Sequence, residues 1–229
     1  MTASATAASG SALADRLLGV ADELTERALA EQYRDPFWYQ RYGEPRATRH
    51  GRQDGNHHVS YLAEALRAHD SVVMERYARW LQQLLTTRGM CTRHIAECFD
   101  CLGRAINERG WADAGPALDV LATATAALRY DGGPARAVQD RAGAISDGDP
   151  ELETLTSYLA DAIALSRPDV LADHIAWYVG FLERQGRPSG TAVVLIERLR
   201  AAALRELPEH QADLLLVLDA AGAAARVRP

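Results

Sequence analysis

Cys91, His94, Cys98 and Cys101 are separated by three, four and three positions. On a helix this spacing lays four side chains along one stripe. Thiolate and imidazole suit zinc, copper or haem iron. His94 and Cys98, one turn apart, are therefore the candidate metal pair. One helix cannot wrap four ligands around an ion, because the stripe is about 15 Å long at 1.5 Å per residue. A further ligand must come from elsewhere, such as His57 or His58. The competing reading is plain packing, since free cysteine behaves as a small hydrophobe. It is preferred here, because an internal repeat described below sets Leu195 opposite Cys98.

A second set is Arg46, Arg49, His50 and Arg52, followed by His57-His58. The stretch from Gly43 to Asn56 lacks helical periodicity and is expected to be a long loop, a common setting for function. Arginines there can close on a carboxylate or phosphate. Histidines at a following helix start can meet an anion or a metal. Arg46, Arg49, Arg52, His57 and His58 are the predicted ligand-binding residues.

The elements that must position these groups are set by a repeat. Sliding the chain by 97 positions aligns two long segments without a gap. Ser60-Tyr61-Leu62-Ala63 falls on Ser157-Tyr158-Leu159-Ala160. Trp80 falls on Trp177, Gly89 on Gly186 and Val120-Leu121 on Val217-Leu218. Self-similarity of this kind means one structural unit used twice. The shared residues are mostly apolar or small, so the repeat encodes packing, with Trp80 and Trp177 read as core. The Arg/His set has no counterpart: Asp147, Asp149, Glu151 and Glu153 occupy the matching stretch. It is a specialisation of the first half.

Apolar residues at three- and four-residue steps predict a helix from Ser11 to Gln32 and a short helix after Asp35-Pro36. Each copy then predicts four helices: about 57–68, 71–88, 92–109 and 116–130, and later 152–165, 167–185, 190–206 and 209–225. Gly89 and Gly186 stand where a helix C-terminus wants glycine. The expected order is a disordered tail (1–10), an N-terminal helix with an Arg/His-rich loop (11–56), a first helical repeat (57–130), a linker (131–150) with a short helical piece at about 136–142, and a second helical repeat (151–229). The fold class is all-α, a tandem duplicated helical bundle.

Composition narrows the function. Every one of the 25 basic side chains is arginine and the net charge is −6. That balance argues against a polyanion binder. Leu81–Cys101 fits a helix-turn-helix template poorly, with Leu85 where a small residue belongs. No apolar run reaches the roughly 20 residues a membrane span needs. The start of the chain lacks the basic and apolar regions of a signal peptide, so a cytoplasmic location is expected. No glycine-rich phosphate loop, G-x-S-x-G elbow or H-E-x-x-H motif occurs. No cofactor is indicated. The expected function is that of a non-enzymatic helical regulator or adaptor taking a small, anionic ligand or a protein partner. A metal- or haem-dependent sensor or enzyme is the alternative.

Overall fold

Alanine, leucine and arginine dominate this sequence, and all three favour helix. The computed structural model describes residues 2–188 and 190–227, and among them it contains no strand. The helices are α1 (Thr2–Gly19), α2 (Ala21–Gln32), α3 (Phe37–Tyr42), α4 (Glu44–Ala68), α5 (Val72–Thr86), α6 (Thr92–Asn107) and α7 (Gly115–Ala127). They continue as α8 (Gly133–Asp140), α9 (Ala142–Ser146), α10 (Pro150–Ala164), α11 (Asp169–Arg184), α12 (Gly190–Glu206) and α13 (Gln211–Arg226). A single 3-10 turn at Pro208–His210 precedes α13.

The chain divides into two units. Unit 1 holds residues 1–81 and 94–128; unit 2 holds 82–93 and 129–229. The sequence boundaries do not foresee that 82–93 belongs with the second unit. The reason is chemical: Cys91 is fully buried in the apolar cluster of unit 2, beside residues such as Leu159, Leu171 and Leu199. In unit 1, α4 packs against α1, α2, α3 and α7. Its core includes Leu13, Leu17, Leu24, Leu62, Met74, Ile95 and Phe99.

Four sequence expectations are corrected. Backbone expected to form a disordered tail is helical from Thr2, and the single N-terminal helix is broken at Val20 between α1 and α2. The linker at 131–150, expected to hold one short helical piece at about 136–142, carries two helices, α8 and α9, whose Val138 and Ile145 are buried and which pack on α10.

The fourth correction matters most. The Arg/His-rich stretch is not a loop: Glu44–Ala68 is one helix, with Gly43 at φ +77° before it and Pro45 in its first turn. Two glycines obscured it. A Cβ on Gly51 would lie closer than 3.0 Å to the Tyr33 hydroxyl, and one on Gly55 equally close to Thr25. Both glycines are there to let the α2 region approach the α4 backbone, and the Tyr33 hydroxyl donates to the Ala47 carbonyl at 2.9 Å. Helix-interior glycine costs ~1 kcal/mol against alanine; here close packing offsets it.

Candidate functional site

The α4 helix sorts the predicted ligand residues by face. Ala47, Gly51, Gly55, His58, Leu62 and Leu66 recur at three- and four-residue steps and turn inward. Arg46, Arg49, His50, Gln53, His57, Tyr61 and Glu64 form the opposite stripe and are exposed. So the structure keeps Arg46, Arg49 and His57 together and removes two of the predicted five. Arg52 is exposed but engaged, because its guanidinium pairs with Glu26.

His58 is buried, sharing a 2.8 Å hydrogen bond with the Tyr77 hydroxyl and meeting the Phe99 ring at 5.3 Å between centroids. Burial lowers its pKa to about 4, so the ring is neutral at pH 7. Desolvation disfavours the charged imidazolium, with exposed His57 adding to the effect. His58 is thus a core residue and not an anion site. Asp54, half-buried on α4, is pushed above the usual carboxylate range by burial, partly offset by His57 and His50.

The Cys/His stripe is also dispersed. Cys91 is wholly buried in unit 2. His94, in unit 1, lies against Phe37 and Trp38 with ring centroids 4.5 and 5.2 Å away. Gln32 donates from Nε2 to the Cys98 Sγ at 3.1 Å, and the thiol donates to the His94 carbonyl at 3.2 Å. Arg104 donates to the Cys101 Sγ at 3.2 Å. Cys98 and Cys101 stand in C-x-x-C spacing, yet no disulfide is present. Burial pushes the Cys98 thiol up to about 12 and that of Cys101 up to about 11. A reactive thiol needs the opposite shift. Among the described residues no group of three or more His, Cys, Asp or Glu is placed to hold a metal ion.

The aromatic pairs behave unequally. Tyr61 stacks on Tyr77 at 4.0 Å and Tyr77 on Trp80 at 6.0 Å. Tyr158 stacks on His174 at 3.9 Å, and His174 meets Trp177 at 5.8 Å. The ladders occupy positions 97 apart. The second is covered: Tyr158 has no exposed surface and Trp177 is half-buried. The first is open, with Tyr61 39 % and Trp80 53 % exposed. Trp80 is therefore not the core residue its apolar helix stripe predicts.

One polar site escaped the sequence reading. Asp161 in α10 is wholly buried. It accepts from the Thr92 backbone N–H at 2.7 Å, the Thr92 hydroxyl at 2.6 Å and the Tyr130 hydroxyl at 2.6 Å. Beside it the Ser157 hydroxyl accepts from the Arg93 backbone N–H at 3.0 Å, and the Tyr158 hydroxyl donates to the Gly89 carbonyl at 2.8 Å. The first N–H groups of α6 are thereby satisfied within unit 2 by α10 side chains, as a helix start requires. Burial raises the Asp161 pKa to about 6 against the pull of its three donors. A signal existed: a carboxylate one turn after Tyr158, within the otherwise uncharged run Tyr-Leu-Ala-Asp-Ala.

His58, Cys98, Cys101 and Asp161 are thus tied into packing. The outward stripe of α4 is exposed, and so are Tyr61 and Trp80 of the aromatic ladder. Comparison with known proteins found no matching family model, no matching curated sequence and no matching solved structure. Among the described residues no helix is long and apolar enough to cross a membrane.

Proposed function

We propose that this chain is a non-enzymatic helical adaptor built from a duplicated unit, and that it binds a protein partner through the outward face of α4 and the adjoining α5. The observation that carries this reading is the open aromatic ladder Tyr61–Tyr77–Trp80, with Trp80 53 % exposed. Tyrosine, tryptophan and arginine are the residues that dominate binding hot spots. Arg46 and Arg49 lie on the same α4 stripe, make no ion pair among the described residues, and suit acidic side chains on a partner.

Duplication is supported by element bounds as well as by sequence. Moved by 97 positions, α5 falls on α11, α6 on α12 and α7 on α13. The left-handed residues coincide too: His69 at φ 50° with Ser166 at φ 52°, and Gly89 at φ 86° with Gly186 at φ 71°.

The test is a photo-crosslinking residue at position 57 of the full chain in cells, with position 216 on α13 as control. Leu216 is 64 % exposed and lies outside α4 and α5. A protein adduct at position 57, absent at 216 and lost with Tyr61→Ala plus Trp80→Ala, is expected. No adduct at position 57 overturns the reading.

A further inference from the structure

Unit 2 contains a complete example of how this fold takes up a turn and a helix start. Acceptor residues on α10 are Ser157, Tyr158 and Asp161. The inserted piece is the Gly89–Arg93 segment, which gives a carbonyl to Tyr158, the Thr92 N–H and hydroxyl to Asp161, and the Arg93 N–H to Ser157. Cys91 fills the apolar space beside them.

Both halves of this arrangement occur a second time in the sequence, and both stand open. Ninety-seven positions before the acceptor lie Ser60, Tyr61 and Glu64, the same types in the same order, with glutamate for aspartate. All three are exposed on α4. The Tyr61 ring is held by Tyr77 as the Tyr158 ring is held by His174. Ninety-seven positions after the inserted piece lies 186–190: Gly186 for Gly89, Pro188 for Cys91 and Gly190 for Arg93. Gly186, Arg187, Pro188 and Gly190 are exposed, and Gly190 begins α12 with an N–H to give. The sequence also has a hydroxyl residue at the Thr92 position, Ser189, which lies outside the described residues.

Where the two sets differ, they differ on both sides at once. Arg93 pairs with Glu153 at 3.2 Å. Their counterparts are Gly190 and Asn56, so the cation and its carboxylate are replaced together and neither partner is left with a buried unpaired charge.

We infer that the exposed Ser60–Tyr61 face of one molecule, with Glu64 beside it, receives Gly186, Pro188 and Gly190 of a second copy of this chain, repeating the contacts that Tyr158 makes with Gly89 and Ser157 with Arg93. This rests on the reading of α4 and α5 as a docking surface and names its occupant. The Tyr61 hydroxyl donates to the Gly186 carbonyl, Ser60 accepts from the Gly190 N–H, and Glu64 faces the positive end of α12. Pro188 supplies the apolar contact, and Trp80 the surface it closes over. The two patches are unlike, so the interface is heterologous. Each molecule carries one acceptor and one donor, and association runs head to tail into a ring or an open series.

The experiment is sedimentation velocity on the full chain over the micromolar to near-millimolar range. The acceptor variant is Tyr61→Phe with Glu64→Arg. The donor variant is Gly190→Pro, which removes one N–H at a position where proline is tolerated and where a Cβ meets nothing within 4 Å. Wild type is expected to associate with rising concentration, and each variant alone to weaken association about tenfold or more, a change of 1.4 kcal/mol. Circular dichroism melts of both variants should match wild type. An equimolar mixture should then form a one-to-one dimer and nothing larger, because only one matched pair of patches survives. A monomeric wild type, association unaffected by either variant, or a mixture that stays monomeric or forms larger species would each overturn the inference. The position 57 crosslink separates its failure from that of the adaptor reading: an adduct with a different protein keeps the docking surface and rejects the second copy, whereas no adduct rejects both.

Discussion

Asp161→Asn offers a test in which sign and size both follow from the structure. The wild-type carboxylate is buried, forms no ion pair among the described residues and has three donors aimed at it. Its pKa rises from an ordinary 3.8 to about 6 because burial outweighs those donors. The folded protein therefore holds this proton more tightly than the unfolded chain. Stability from the protonated group is fully present below about pH 3, under the unfolded pKa, and is lost as pH rises through about 6. At 1.36 kcal/mol per pH unit the loss is about 3 kcal/mol. Asparagine keeps an acceptor for the Thr92 N–H and carries no charge at any pH, so the variant lacks this loss. Carboxylates held low by arginines, such as Glu151 beside Arg187 and Asp149 beside Arg198, drive stability the other way as pH falls. They are common to both proteins and cancel in the difference. Urea unfolding of both at pH 4 and pH 7.5 should show the variant gaining about 2.5 kcal/mol on wild type between the two, most of the full effect. A pH-independent difference, or a relative loss at pH 7.5, would refute the reasoning.

Other expectations follow from packing. Gly55→Ala should destabilise by about 1–3 kcal/mol by overpacking against Thr25, whereas Gly143→Ala, with nothing within 4 Å of the new Cβ, should be neutral or gain up to ~1 kcal/mol; equal melting shifts would contradict the close approach of α2 and α4. Trp80→Ala should cost under about 2 kcal/mol, clearly less than Trp177→Ala at about 3 kcal/mol or more; chemical denaturation of the two variants decides it. Cys98 and Cys101 should react with a disulfide reagent at pH 8 more than about a hundredfold slower than in denaturant, since their thiols titrate near 12 and 11; native-state labelling at the free-cysteine rate would show the burial to be wrong. Arg46→Ala with Arg49→Ala should leave stability within about 0.5 kcal/mol, as exposed substitutions do, and a larger loss would place these side chains in the fold.

The sequence by itself determined what depends on local pattern. Period and capping gave α5 to α7 and α11 to α13 within a few residues, because apolar spacing, Gly89, Gly186 and Pro168 act over one or two turns. It also singled out the Arg/His stretch as special to the first half. It could not tell that Gly51 and Gly55 are helical, because their use lies in Tyr33 and Thr25, distant in sequence. Nor could it rank His57 and His58, adjacent residues that a helix sends to opposite environments, one exposed and one sealed against Tyr77 and Phe99. Trp80 and Trp177 occupy matching positions in a matching pattern, yet one is open and the other half-buried. What covers a side chain comes from other segments, such as Gly89–Arg93 on α10, and that coverage is a property of the folded chain alone. The tertiary structure therefore decided which polar groups are held inside and which aromatic surface is left exposed.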